Sequence, residues 1–491
     1  MPASALRTSA LRAWAPRLAC AWAIAHGAPL ALAAEPVAGL LPEPIAAALA
    51  QSRVPAQSFA LWIQPVDAAT PVWSLNGDAG MNPASVFKLA TTSAALDTFG
   101  PAWSWKTQVA FTGPVRQGVL HGSLVIRGAG DPSLVQERLW LLLRQVRDAG
   151  VHSIDGDIVL DHGAFAPATR APGDFDGAPL EPYNAQPDGL LMNYGALVLH
   201  FVPDRAAGVA HVSVEPALAG FRVDETVPLG RAACDDWRDG LALQADDPAH
   251  WRFRGRYPAG CGTRDWPVAY SDPASFDRRL VAALWKDVGG RLKGQVRDGR
   301  MPADAQQAFE FASPPLAQVV RDINKYSNNV MAEQVYLSLA ASADGADAAT
   351  PDAARAALDK WLHERLGADA DGIVIANGSG LARETRISAR ALGSLLQWVW
   401  RSPDMPELMG SLPLNGVDGT LRHAGATAGR AHLKSGSMRD VIAIAGFVLS
   451  DSGRRYVLVA IVNDPNAAAA RPVFDAAIDW VVRGPVASPR P

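Results

Sequence analysis

Cysteine is scarce in this sequence, and several common signatures of catalytic or cofactor sites are missing. Only three of the 491 residues are cysteines, and no spacing of cysteine and histidine resembles a zinc site. The sequence contains no H-E-x-x-H zinc motif, no G-x-S-x-G nucleophile elbow and no Walker loop. We therefore expect neither a metal nor an organic cofactor.

An excess of charge of one sign is also lacking. The 45 lysines and arginines nearly balance the 49 aspartates and glutamates, and the formal net charge is -4. Because no block rich in lysine or arginine occurs, the sequence does not indicate a nucleic-acid-binding protein. Hydrophobic residues make up 49% and charged residues 19%, which is typical of a globular protein with sizeable cores. The length predicts two or three domains.

The N-terminal segment has the pattern of a targeting signal. Arg7, Arg12 and Arg17 give a positive start, and an apolar stretch follows over residues 18–34. The small residues of Ala31-Leu32-Ala33 suit cleavage by a signal peptidase. We therefore predict a cleavable signal peptide over residues 1–34 and a periplasmic protein.

An uncleaved membrane anchor is the alternative for this segment. His26, Gly27 and Pro29 interrupt the apolar stretch, which is also short for a membrane span of about 20 residues. Cys20 raises the question of a lipoprotein, but Arg17 stands where a lipoprotein signal requires an apolar residue. We expect no integral membrane span after cleavage, and peripheral association with membrane or wall remains open.

Two cysteines remain after removal of the signal, Cys234 and Cys261. An even number of cysteines in an exported chain favours a disulfide that closes a local loop. Two buried free thiols are the alternative.

The arrangement of strand-like and helix-like segments predicts a domain built from both ends of the chain. Strand-like runs occur before residue 80 and again from about residue 432. Helical periodicity dominates from about residue 300, whereas short strand-like runs separated by glycine, proline and aspartate fill residues 105–295. We therefore expect an α/β domain with β-rich material inserted within it.

The run from Asn82 to Lys88 predicts a nucleophile at the start of a helix. Asn82 suits an N-cap and Pro83 the first helical position. Ser85 then lies in the first turn, where its N–H has no intrahelical partner. Lys88 follows one turn later on the same face, and its amine can take the hydroxyl proton if its pKa is lowered. Taken alone, S-x-x-K also occurs by chance in many proteins.

A second hydroxyl and an amide occur in Tyr326-Ser327-Asn328-Asn329, between two predicted helices. Ser327 could relay a proton to a leaving amine, and Asn329 could hold both Lys88 and a substrate carbonyl. A helix N-cap is the alternative explanation of these residues.

A third element, Lys434-Ser435-Gly436, lies on a predicted strand. Lys434 would help to keep Lys88 neutral and would attract a carboxylate. Ser435 could hydrogen-bond that carboxylate, and Gly436 would let a peptide approach the strand edge. The N–H of Ser437 could be a second oxyanion donor. An ordinary strand end with a solvated lysine is the alternative.

The order S-x-x-K, S-x-N and K-[ST]-G is the motif set of penicillin-binding proteins and β-lactamases. With 242 residues between Ser85 and Ser327, the chain closely resembles the class C low-molecular-mass penicillin-binding proteins, which are D-alanyl-D-alanine carboxypeptidases and endopeptidases. Four further runs are similar to that family: residues 128–132, 155–161, 377–381 and 416–421.

The resemblance implies a penicillin-binding or serine β-lactamase-like core, an antiparallel sheet flanked by helices, with two β-rich inserted domains. We place the core at residues 35–104 and 298–485, the second domain at 105–130 and 204–297, and the third domain at 131–203. The resemblance also implies an acyl-enzyme on Ser85 with Lys88 as general base. Ser435 stands where the family usually has threonine and keeps the hydroxyl.

An acidic residue of an inserted domain contacts the free end of the diaminopimelate side chain in some relatives. Asp176 is our candidate for this role, and a solvated loop aspartate is the equal alternative.

The implied ligands are peptidoglycan peptides and β-lactam antibiotics. Two other functions remain as alternatives: a β-lactam-hydrolysing enzyme on the same core, and an inactive wall-binding scaffold. Neither the oligomeric state nor the balance of carboxypeptidase and endopeptidase activity can be predicted from the sequence.

Overall fold

The computed structural model of the protein describes residues 41–235, 237–341 and 348–484. The predicted signal peptide, residues 1–34, lies outside the described residues. Within the described ranges, no helix combines the length and the apolar character needed to cross a membrane.

The helices of the described residues are given in chain order: α1 (Glu43–Ser52), α2 (Lys88–Phe99), α3 (Gln136–Asp148), α4 (Pro273–Asp287), α5 (Leu316–Tyr326), α6 (Asn329–Ser338), α7 (Pro351–Leu366), α8 (Ala389–Arg401), α9 (Met405–Ser411) and α10 (Arg471–Arg483). A 3₁₀ turn, Ala84–Phe87, leads directly into α2.

The strands follow in the same order: β1 (Phe59–Pro65), β2 (Trp73–Leu75), β3 (Lys106–Phe111), β4 (Val115–Arg116), β5 (Val119–Leu120), β6 (Leu124–Arg127), β7 (Ser153–Ile154), β8 (Ile158–Asp161), β9 (Ala196–Asp204), β10 (Val209–Glu215), β11 (Arg222–Val223), β12 (Thr226–Gly230), β13 (Leu241–Gln244), β14 (His250–Gly255), β15 (Tyr257–Pro258), β16 (Arg264–Ala269), β17 (Arg291–Leu292), β18 (Val296–Asp298), β19 (Gln306–Ala312), β20 (Ala431–Met438), β21 (Val441–Leu449) and β22 (Arg455–Asn463).

A five-stranded sheet, the core sheet, joins the two ends of the chain. Its order is β2-β1-β22-β21-β20, and each neighbouring pair is antiparallel. The last strand in the sequence, β22, therefore lies between the first strand and the hairpin partner β21. Strands from both parts of the chain thus share one sheet, and β20 forms one of its edges.

Both faces of the core sheet are buried. On β22, Val457, Val459 and Ile461 pack into a cluster with residues of α2 and α5–α9. The alternate residues Leu458 and Val462 pack into a second cluster with residues of α1 and α10. This two-residue alternation is what a pleated strand between two helical layers requires. It places α2, which carries Lys88, and α5, which precedes Ser327, on the same face of the sheet.

The strands between β2 and β20 form sheets of their own. Their orders are β15-β12-β10-β9-β16, β11-β14-β13, β17-β7-β5-β4 and β18-β8-β6-β3-β19. Beta structure therefore dominates the region between β2 and α5, as the sequence indicated.

Strand pairing crosses the domain boundaries that we placed within this region. Strand β8 falls in the range 131–203, yet it pairs in parallel with β6 and with β18. Strand β19 falls in the predicted core range, yet it pairs with β3. The division into two inserted domains stays a prediction, and these pairings favour grouping β8 and β19 with the strands of the second domain. Because parallel strands that pair lie far apart in the chain, no local sequence pattern predicts their pairing.

The predicted disulfide is present. Cys234 and Cys261 are joined, with their Cα atoms 5.2 Å apart. Cys261 is buried in the same apolar cluster as Phe201 and Tyr257. The disulfide therefore joins the segment that follows β12 to the apolar cluster that contains Phe201 of β9.

Candidate active site

The nucleophile turn, Ala84–Phe87, is held at its start by the side chains of Asn82 and Asn463. Asn82 accepts a hydrogen bond from the Ala84 N–H at 2.9 Å. Asn463, the last residue of β22, accepts one from the Asn82 N–H at 2.7 Å and donates one to its carbonyl at 2.9 Å. Ala84 has a φ of 46°, a left-handed conformation that is costly for a residue with a Cβ. These contacts fix Ser85 in a 3₁₀ turn, three residues before the regular α-helix begins at Lys88.

Lys88 is fully buried and directed at Ser85. Its Nζ lies 2.9 Å from Ser85 Oγ, 2.6 Å from Asn329 Oδ1 and 2.7 Å from the carbonyl oxygen of Ser379. In the neutral form, two N–H groups satisfy Asn329 and Ser379, which leaves the lone pair free to accept the Ser85 hydrogen. The geometry therefore suits a general base.

Burial lowers the pKa of Lys88 to about 7, and the carboxylate of Glu333 opposes that shift. Lys434 is also fully buried. Burial, followed by the charge of Lys88, lowers the pKa of Lys434 well below its ordinary value. A positive charge on Lys88 thus disfavours a second buried ammonium group on Lys434.

In the S-x-N segment, the middle side chain caps a helix and the other two line the cleft. Ser327 ends α5 in the left-handed conformation, with a φ of 60°. Asn328, the middle residue, caps α6 by accepting a hydrogen bond from the Met331 N–H at 3.1 Å. Because Asn328 supplies the cap, Ser327 and Asn329 line the cleft, where the Asn329 amide donates to the Tyr183 carbonyl at 3.1 Å.

Lys434 connects β20 to the S-x-N segment. Its Nζ donates to Ser327 Oγ at 2.8 Å and to the Ser435 carbonyl at 2.7 Å. Since Ser327 accepts this bond, its own hydroxyl hydrogen is free to point elsewhere. Ser435 lies within 2.6 Å of the Thr420 hydroxyl.

Gly436 faces the nucleophile turn. A Cβ at this position would lie 2.6 Å from the Pro83 carbonyl oxygen and 3.0 Å from the backbone nitrogens of Ser85 and Val86. We expected this glycine to make room for a substrate. In the structure it makes room for the backbone that carries the nucleophile.

The substitution Gly436→Ala is therefore expected to displace the nucleophile turn. All three clashing atoms are backbone atoms, so relief requires movement of the turn or of β20. We expect a loss of about 1–3 kcal/mol in the free energy of unfolding and slower acylation of Ser85. Thermal unfolding and labelling with a fluorescent penicillin measure the two effects. Gly410→Ala in α9 is the control, because a Cβ there meets nothing within 4 Å; equal effects of the two variants would contradict this explanation.

The predicted site residues share one cleft of about 760 Å³. Its lining includes Ser85, Ser327, Asn329, Ser435, Gly436, Ser437 and Asp176. The two lysines lie behind this lining, in contact with the hydroxyls. The structure thus brings together every residue that the three motifs and the acidic candidate supplied.

The family of the chain follows from comparison with known proteins. The model of the D-Ala-D-Ala carboxypeptidase 3 (S13) family matches residues 41–483. The chain belongs to the S13 family. A D-alanyl-D-alanine carboxypeptidase of an Actinomadura species is 31% identical over 428 residues, which cover 81% of this chain and 76% of the relative.

Solved structures agree on the fold of this S13 protein. Penicillin-binding protein 4 of Haemophilus influenzae superposes with a TM-score of 0.74 at 20% identity, covering 89% of this chain and 99% of that chain. Its complex with a β-lactam covers the same shares at the same identity, with a TM-score of 0.68. A predatory endopeptidase of Bdellovibrio bacteriovorus gives a TM-score of 0.51 at 13% identity, covering 86% and 92%.

These findings confirm three predictions: the penicillin-binding fold, the family, and the class of enzyme, a serine-type D-Ala-D-Ala carboxypeptidase.

Asp176 lies at the rim of the S13 cleft. Its carboxylate accepts hydrogen bonds from Tyr183 at 2.8 Å, from Asn184 at 2.8 Å and from the Ala178 N–H at 3.0 Å. Partial burial opposes ionisation, but these bonds outweigh it and lower the pKa of Asp176. An ionised carboxylate at the rim suits a cationic group of a substrate.

Several side chains of the S13 site were not predicted as site residues. Thr420 contacts Ser435, and Asp418 pairs with the buried Lys325 at 2.8 Å, which ties that loop to the end of α5. Both residues fall in the run 416–421, which resembled the family but suggested no role. Ser379 and Glu333, beside Lys88, were also missed, although Ser379 lies in the similar run 377–381.

Proposed function

We propose that this S13 enzyme hydrolyses D-alanyl peptide bonds in peptidoglycan stem peptides and crosslinks through an ester on Ser85. The observation that carries the proposal is the 2.9 Å contact between Ser85 Oγ and the buried Nζ of Lys88, whose pKa is lowered to about 7. A lysine that is half neutral near neutral pH can deprotonate a serine without a histidine.

The chemistry proceeds in two balanced steps. Lys88 takes the Ser85 proton while Oγ attacks the D-alanyl carbonyl, and the backbone N–H groups of Ser85 and Ser437 hold the oxyanion. The proton passes through Ser327 to the leaving amine, which departs as the C–N bond breaks. Water then cleaves the Oγ–acyl ester, and a proton returns to Ser85.

The edge position of β20 supports a peptide substrate. An extended peptide can pair with the free edge of a sheet through its backbone, and Ser435 and Ser437 lie on this edge within the cleft. Asp176 is proposed to bind the free amine of a diaminopimelate side chain, because its carboxylate is held ionised at the rim. A carboxypeptidase and an endopeptidase both need these contacts.

β-Lactams are proposed to acylate the same serine. The Haemophilus relative has been solved with a β-lactam bound, and a strained lactam carbonyl meets the same nucleophile and oxyanion donors as the peptide. A location in the periplasm, next to the peptidoglycan, would follow if residues 1–34 act as the predicted signal peptide.

The rate of acylation is expected to rise with pH through about 7 and then to level off. Only the neutral amine of Lys88 can accept the serine proton, and its pKa is about 7. Below that pH, the rate should fall about tenfold for each pH unit. Stopped-flow acylation by a fluorescent penicillin between about pH 5 and pH 9 checks this; a rate independent of pH across that range would contradict it.

Digestion of purified muropeptides tests the proposed substrate. We expect release of D-alanine from monomeric pentapeptides and conversion of crosslinked dimers to monomers, both blocked by prior treatment with penicillin. Penicillin labelling without action on either muropeptide would reject the proposed substrate. Rapid turnover of a chromogenic cephalosporin would instead favour a β-lactam-hydrolysing enzyme, and wall binding without any labelling would favour a scaffold.

A further inference from the structure

Glu333 lies on α6, one turn after Asn329, and contacts a loop rather than the substrate cleft. Its carboxylate accepts hydrogen bonds from the Ser379 N–H at 2.8 Å and from the Gly378 N–H at 3.3 Å. The carbonyl of the same Ser379 accepts the hydrogen bond from Lys88 Nζ at 2.7 Å. Ser379 is thus held between the acid on one side and the amine on the other.

The loop that contains Ser379 is fixed by its own contacts and by the nucleophile turn. Asn377 Oδ1 accepts a hydrogen bond from the Gly380 N–H at 2.9 Å. A Cβ on Gly380 would lie 2.1 Å from the Ala84 carbonyl oxygen, so this loop packs directly against the turn that carries Ser85. A displacement of the loop would therefore change the relation between the Lys88 amine and the Ser85 hydroxyl.

Glu333 is separated from the substrate. It is absent from the lining of the main cleft and lines a second cavity of about 140 Å³, together with Asn329, Asn377 and Tyr336. Any effect of Glu333 on catalysis must therefore pass through Lys88, Asn329 or the loop, and not through contact with the bound peptide.

We propose that Glu333 is a positioning residue for acylation, which holds the Ser379 carbonyl and thereby keeps the Lys88 amine in line with Ser85. This inference rests on the proposed function of the same site. Its carboxylate has a second effect, because a negative charge beside Lys88 offsets part of the cost of burying that amine.

The charged and titratable groups around this pair are few among the described residues. The charge of Glu333 raises the pKa of Lys88 against the larger effect of burial, and the charge of Lys88, after burial, lowers the pKa of Lys434. Glu333 also faces Tyr336, whose pKa it raises after the larger effect of burial. Arg170 lines the second cavity. Burial raises the pKa of Glu333, while the side chain of Ser379, the N–H groups of Ser379 and Gly378 and the charge of Lys88 lower it by less.

Two substitutions separate the geometric effect from the charge effect. Glu333→Gln retains the shape but presents an NH₂ group to one of the two loop N–H donors, and it removes the charge. Glu333→Asp keeps the charge but is too short to reach both donors. Three quantities are measured for each variant. They are the acylation rate at saturating fluorescent penicillin, the penicillin concentration that gives half of this maximal rate, and the pH at which the maximal rate falls to half.

Both variants are expected to lose about 100-fold in the maximal acylation rate, the scale of a misplaced reacting group, with the half-saturating penicillin concentration unchanged. Glu333→Gln should also shift the pH midpoint below that of the unmodified enzyme, because the pKa of Lys88 loses its opposing charge. Glu333→Asp should keep the midpoint. First-order rates of labelling do not depend on the fraction of protein that folds, so partial misfolding does not obscure the result.

Glu364→Gln is the matched control, since Glu364 lies on α7 with 52% of its side chain exposed. The inference is overturned if Glu333→Gln acylates at the unmodified rate and midpoint, or if its loss is entirely in the half-saturating concentration. If the unmodified enzyme is not labelled at all, the proposed function fails, and this inference fails with it.

Discussion

Replacement of Ser85 by alanine is expected to abolish both penicillin labelling and the release of D-alanine. The substitution removes the oxygen that forms the ester, and among the described residues the Lys88 amine has no hydrogen bond to another hydroxyl. Ser327 lies in the same cleft, but its Oγ accepts a bond from Lys434, which makes it a poor nucleophile. We expect a loss of about 10⁶-fold in hydrolysis, the scale seen when an enzyme nucleophile is removed.

Intact-protein mass spectrometry after incubation with penicillin measures the adduct. Ser74→Ala is the control, because Ser74 is exposed on β2, on the opposite edge of the core sheet from β20. A Ser85→Ala protein that still gains the mass of penicillin would place the acylated residue elsewhere and would reject the proposed mechanism.

Replacement of Lys88 by methionine is expected to reduce acylation by about 10⁴-fold, the upper range for a general base. Methionine approximates the length of the side chain but cannot accept the serine proton. It also leaves Asn329 Oδ1 and the Ser379 carbonyl without the hydrogen bonds that they accept at 2.6 and 2.7 Å. Some loss of stability should therefore accompany the loss of rate.

Circular dichroism and thermal unfolding show whether the Lys88→Met protein is folded, and penicillin labelling over long times gives its residual rate. Lys360→Met is the control, since 77% of the Lys360 side chain is exposed on α7. Acylation by Lys88→Met at a rate near that of the control would mean that another group takes the proton.

The parts of the site that follow local chemistry could be predicted from the sequence. Asn82 and Pro83 were predicted to start an α-helix; they precede a 3₁₀ turn, and the α-helix begins only at Lys88. The three-residue spacing nevertheless places Lys88 beside Ser85, as expected. The S-x-N and K-S-G motifs became informative only in combination, because each alone has an ordinary structural explanation. The structure shows that one such explanation holds for Asn328, which is a helix cap, while its neighbours line the cleft.

The parts that depend on contacts between distant segments could not be predicted. The Ser379 carbonyl reaches Lys88 across 291 residues of sequence, and a main-chain carbonyl leaves no mark in a residue pattern. The need for glycine at 436 arises from the Pro83 carbonyl, which only the folded chain brings near. Likewise, the pairing of β8 with β6 and β18 joins short parallel strands whose partners are not set by any local turn.

The position of β22 has a consequence for the timing of activity during synthesis. A ribosome makes β1 and the Ser85 turn early, whereas β22, which separates β1 from the hairpin partner of the Lys434 strand, comes among the last elements. Asn463, at the end of β22, also clamps Asn82. A nascent or prematurely terminated polypeptide that lacks this strand has a serine and a lysine at positions 85 and 88, but not the strand that joins β1 to β21 or the Asn463 side chain that holds Asn82. The fold thus delays any hydrolytic capability until β22 has been translated.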